Sequence, residues 1–127
     1  MAKKVERGIL YFAGLLGGVF DVRPVGDLQF TLEELQVAVD GPIECMLAAV
    51  KGHVVYVNES GGLRKLAANK YTWRAASEKV YHLNGYGTKT WCVAGNIIAV
   101  YKAASDSVAP TNTIYDVLAM HHSNGGA

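Results

Sequence analysis

Residues 30–42, FTLEELQVAVDGP, restrict the fold more than any other stretch of this chain. Thr31 and Glu34 stand three positions apart, the spacing of a capping box in which each side chain satisfies an orphan backbone N–H of the other's turn. Phe30 before the cap and Leu35 after it are placed for a hydrophobic staple. Leu32, Leu35, Val39 and Gln36 fall on one helical face, while Glu33 and Asp40 fall toward solvent. Asp40-Gly41-Pro42 then offers a glycine to end the helix and a proline that cannot extend it. The spacing predicts a helix over 31–40.

What flanks this helix reads as strand. Residues 8–13 (GILYFA) and 18–25 (GVFDVRPV), separated by a glycine-rich turn, predict a hairpin. In its second arm Val19, Asp21 and Arg23 share one face and Phe20, Val22 and Pro24 the other, with Pro24 at an edge or strand end. Residues 42–50 (PIECMLAAV) are apolar apart from Glu44, a continuity that suits a central strand. Residues 53–59 (HVVYVNE) alternate, and GLRKLA after Ser60-Gly61-Gly62 predicts a short returning arm. Residues 69–83 mix helix and strand formers and are read as a helix or helical turn capped near Asn69, centred on 70–81. Residues 84–89 form a loop, 90–103 a strand kinked at Gly95-Asn96, and 113–122 a helix with a stripe at Ile114, Val117 and Leu118. The expectation is a single α+β domain over residues 1–127: a mostly antiparallel sheet of about five strands, one capped helix and a second helical segment, with a loose tail from about residue 123.

At 127 residues the chain can bury a core without a metal or disulfide staple. Half of it is hydrophobic and 18% charged, which excludes a disordered chain and points to homo-oligomers, dimeric or higher. Twelve basic and eleven acidic residues give a net charge of +1, which argues against general nucleic-acid binding. Cys45 and Cys92 lack CxxC spacing and read as reduced, buried thiols of a cytosolic protein. The basic and apolar N-terminus is broken by glycines and falls short of the roughly 20 apolar residues of a membrane span.

The order TLEELQVAVDGPIECM, VYVNESGGLRKLAAN, VAGNIIAVYK resembles a family of small domains of unknown function carried mainly by bacteriophages and mobile elements. That family's pattern is a slxelQxxVgGxIE helix-to-strand block, an NExGklxxLxxN hairpin and a final xxGnxvxv strand. Gln36, Gly41, Ile43, Glu44, Asn58, Glu59, Leu63, Leu66, Asn69, Gly95 and Asn96 fall in order over residues 31–100. The hairpin here carries an extra residue, and residues 69–91 are longer and more aromatic than the pattern. The resemblance implies a phage-type accessory protein working in the bacterial cytoplasm, with an α+β fold and no assigned reaction.

The sequence holds no P-loop, GxSxG, HExxH, dinucleotide-binding or EF-hand motif. GYGTKT (85–90) lacks the arrangement of a phosphate cradle, Cys45 with His53 lacks an orienting group, and His121-His122 reads as a solvent-exposed pair. Glu44 and Glu59 form an acid/base pair only if their strands are neighbours. The concentration of chemistry lies elsewhere: Arg64, Lys65, Lys70 and Arg74 interleave with Tyr71, Trp73, Tyr81, Tyr86 and Trp91. Bases stack on such rings and phosphates pair with such cations, although the same residues also build aromatic cores with snorkelling cations. Asn58, Glu59, Arg64, Lys65, Asn69, Tyr71, Trp73 and Arg74 are therefore the candidate ligand-binding residues, with no catalytic residue, metal or cofactor assigned. Arg64 is expected to reach outward from the returning arm. Two partners fit: a small nucleotide, sequestered without turnover, or a host defence protein blocked in the manner of an anti-CRISPR or antirestriction inhibitor. An unrecognised nucleotide hydrolase is a third reading.

Overall fold

The computed structural model describes residues 5–26, 28–46, 53–61, 64–67, 69, 94–103 and 110–123. Five antiparallel strands form one sheet in the order β2-β1-β5-β4-β3. They are β1 (Val5–Tyr11), β2 (Val19–Val22), β3 (Ile43–Met46), β4 (His53–Asn58) and β5 (Ile97–Ala103), with helices α1 (Leu32–Val39) and α2 (Ile114–Ser123). The α+β expectation holds, and the second described helix is the C-terminal one. The helix expected within 69–83, the loop at 84–89, and Tyr71, Trp73, Arg74 and Cys92 lie outside the described residues. Among those described, no helix is long and apolar enough to cross a membrane.

The predicted hairpin pairs from Gly8↔Val22 to Tyr11↔Val19, and β2 alternates as read, with Val22 and Pro24 buried and Val19 and Asp21 exposed. Leu10, Val22, Ile98 and Val100 meet Leu35, Ala38 and Val39 of α1 and Ile114 and Val117 of α2 in one core, so both helices cover the same face of the sheet. Period-2 alternation sends Val55, Ile97 and Ala99 to the opposite face, and all three are fully buried as well. Burial on both faces explains why β5, the middle strand, reads as the unbroken apolar run Ile97-Ile98-Ala99-Val100.

The capping box of α1 is present in both directions. Its buried face nonetheless differs from the expected one: Leu32 is 59% exposed, whereas Glu34 is 2% exposed. Glu34 is tolerated inside because its carboxylate accepts from the Val25 N–H and the Thr31 N–H, both at 2.7 Å. Two charge-assisted bonds offset its desolvation and turn the helix toward Leu35, Ala38 and Val39. Asp40, rather than Gly41, takes the left-handed position that ends the helix. Its N–H bonds Val37 O and that of Gly41 bonds Gln36 O, the Schellman pattern.

Residues 42–50 were expected to be a central strand, but β3 lies at the sheet edge, and Glu44 and Cys45 on it are exposed. Cys45 is accordingly not the buried thiol its apolar neighbours suggested. Nor, among the described residues, does a returning strand follow β4. Both edges of β4 are already taken, by β3 and β5, so no ladder remains for a third partner. The chain instead coils, with Arg64 N–H to Ser60 O at 2.8 Å and Leu66 N–H to Gly61 O at 3.0 Å. Gly61 is required here by close approach, since a Cβ on it would fall on the Ala94 carbonyl oxygen.

Candidate functional site

The C-terminus of α1 is closed by side chains from distant parts of the chain. Asn58 donates to Val39 O at 3.0 Å and to Asp40 O at 2.9 Å, while its own oxygen accepts from the Ser60 N–H at 2.8 Å. Asn96 donates to Ala38 O at 3.1 Å and accepts from the Ala13 N–H at 2.9 Å. Arg64 donates to Asp40 O and lies 3.4 Å from the Asp40 carboxylate. With the two Schellman bonds, every carbonyl from Gln36 to Asp40 has a partner, which is what a helix end facing the interior needs. Gly41 makes this cluster fit: a Cβ there would stand 2.7 Å from Asn58 Nδ2 and 2.8 Å from an Arg64 nitrogen.

This closed helix end forms one wall of a groove of about 540 Å³. Phe12, Val37, Leu66 and Leu118 give it an apolar lining, and Gly95 and Asn96 of the kink line it as well. Asp40, Lys65 and His122 bring charge or titratable nitrogen to it. The last turn of α2 also lines it, and there His121 stacks on Phe12 with ring centroids 3.8 Å apart and planes 4° apart. His121 Nε2 lies 2.9 Å from Gly17 O and so carries the hydrogen it donates. The expected solvent-exposed histidine pair is therefore split: His121 is 6% exposed, locked by a carbonyl and a ring, and His122 alone is exposed. Groove size, apolar lining and a few polar groups match the general make-up of small-molecule sites.

Of the sequence-derived candidates, Lys65 lines the groove, and Arg64 stands behind it on Asp40. Arg64 is exposed as expected, but its guanidinium is engaged at the helix end. Asn58 and Asn69 are buried; Asn69 donates to Tyr11 O at 3.0 Å and Gly95 O at 3.1 Å, so both asparagines shape the walls rather than face the space. Glu59 is an exposed turn residue whose N–H bonds Pro42 O at 2.8 Å. Glu44 pairs with Val57, and Glu59 lies in the turn that follows β4, so the two exposed carboxylates belong to neighbouring segments, one on the strand and one beyond its end. The residues that sequence reasoning missed are Phe12, Asp40, Leu118 and His122, each of which has an ordinary structural explanation when read alone. Among the described residues no group of three or more His, Cys, Asp or Glu is placed to hold a metal ion. Compared with protein families, with curated proteins and with solved structures, the chain matches none.

Proposed function

We propose that this chain is a non-enzymatic binding protein that sequesters a small nucleotide in the groove between the C-terminal ends of α1 and α2. The observation that supports it is the groove itself, with an apolar lining for a base and Lys65 and His122 beside it for a phosphate. Lysine offers three donors and no acceptor, the complement of a phosphoryl oxygen. The phage-type pattern in residues 31–100 suggests the setting: an accessory protein in the bacterial cytoplasm that withdraws a nucleotide signal from host defence. Calorimetric titration with a panel of cyclic, mononucleotide and ADP-ribose-derived compounds tests this. At least one is expected to bind the wild type and to lose roughly tenfold or more on Lys65→Gly, the size of one charge-assisted contact. No heat from any of them removes the proposal.

A second reading is favoured by a different observation. Leu15 and Leu16 at the β1–β2 turn are 99% and 56% exposed, and Tyr115 and Met120 of α2 are 40% and 38% exposed. Apolar residues of this kind suit a protein-interaction inhibitor of a host defence complex. That reading predicts binding to a host enzyme that Leu15→Ser/Leu16→Ser abolishes while Lys65→Gly spares it. The expected self-association would be refuted by a light-scattering mass of only the 13.6 kDa monomer.

A further inference from the structure

Among the described residues, two non-glycine residues have positive φ, Asp40 at 61° and Lys65 at 56°, and both line the same groove. An L-residue in the left-handed region carries a steric cost that glycine does not incur. Backbone outliers of this sort gather at ligand sites, where the side chain is worth more than the relaxed backbone. Here the two side chains carry opposite charge. Lys65 is a donor only. Asp40 has its main-chain oxygen occupied by Asn58 and Arg64, and one carboxylate oxygen, Oδ2, faces Arg64. No hydrogen bond among the described residues engages Oδ1, and the Asp40 side chain is 76% exposed. Asp40 lines the groove with Phe12, Leu66 and Leu118, and the acceptor it has left is Oδ1.

We infer that the groove takes a dipolar ligand, and that among nucleotides it selects bases bearing an exocyclic amine, which donate to the Asp40 carboxylate while the phosphate meets Lys65. This rests on the nucleotide reading of the groove proposed above. Guanine presents an N–H and an amine side by side to a carboxylate, and cytosine presents its amine to the same kind of acceptor. Hypoxanthine and uracil lack that amine. Calorimetry with guanosine, inosine, cytidine and uridine monophosphates separates the possibilities, because each pair differs at the amine position. Wild type is expected to prefer guanosine over inosine and cytidine over uridine monophosphate by about 10-fold, the scale of a charge-assisted hydrogen bond in a partly open site. In Asp40→Gly, which keeps the left-handed backbone and is checked for folding by its melting curve, both ratios are expected to fall to near one. Equal affinities within either pair in the wild type, or ratios that survive Asp40→Gly, overturn the selection while leaving nucleotide binding in place. Absence of heat with all four in the wild type overturns the selection and counts against the nucleotide reading as well.

Discussion

Lys65 and Gly61 sit four residues apart in the same coil, and each occupies a place that suits the other's residue type better by one criterion. Lys65 has the left-handed backbone that glycine adopts freely, whereas Gly61 does not have positive φ and is needed only because Ala94 O leaves no room for a Cβ. Lys65→Gly is therefore expected to raise unfolding free energy by about 1 kcal/mol. Gly61→Ala is expected to lower it by roughly 1–3 kcal/mol, the cost of overpacking. Urea denaturation of both variants checks the pair, and a destabilised Lys65→Gly contradicts the idea that the lysine is kept for its side chain. The glycine pair at 61–62 was legible as a break in β4, but the reason for Gly61 was not, since it depends on Ala94, far away in sequence. The same holds for polar residues that look like turn formers. Asn58 is bonded to carbonyls 18 and 19 residues away, and His121 to one 104 residues away. Nothing in their immediate neighbours distinguishes a buried, committed asparagine or histidine from an exposed one.

Helix N-termini are where sequence and structure agree best, because an N-cap is a local device. Thr31 and Glu34 were readable, and the same spacing in Thr113 and Asp116 announces α2: Thr113 N–H donates to Asp116 at 2.9 Å and the Asp116 N–H to the Thr113 hydroxyl at 3.2 Å. The backbone bond from Thr113, then its hydroxyl, and also the charge of Arg23 hold the Asp116 carboxyl below its ordinary value of 3.8. A carboxyl whose folded pKa is depressed stabilises the fold above its unfolded value, and that contribution is lost as pH falls below 3.8 through the folded pKa. Asp116→Asn is therefore expected to lose less stability than wild type on acidification through this window, with the two converging at the acid end. Parallel stability curves for the two proteins would contradict it. Strands were legible as elements but less so in their placement. The apolar run at 42–50 resembles a buried strand, yet β3 is an edge, because position in a sheet is decided by which strands find each other and not by one strand's composition.

At the scale of the molecule, the α+β class followed from one capped helix among alternating segments, while the groove did not. Its lining comes from the end of β1, the end of α1, the coil at 64–67, the kink at 95–96 and the last turn of α2. The kink was read as a bend in a strand, and the helix ends as terminators. Only the sheet order, which sets β1 beside β5 and packs α1 and α2 on one face, brings these pieces together. Of the aromatic and basic segment singled out in the sequence, only Arg64 and Lys65 are among the described residues, and of these two Lys65 lines this space. Amide NMR of the labelled protein titrated with guanosine monophosphate tests most directly whether the proposed nucleotide binds in the groove. Shifts concentrated at Ala13, Asp40, Lys65, Leu66, Asn96 and His122 are the predicted result. Saturating shifts confined to the β3 edge or to the Leu15-Leu16 turn, or no shifts at millimolar nucleotide, would contradict it.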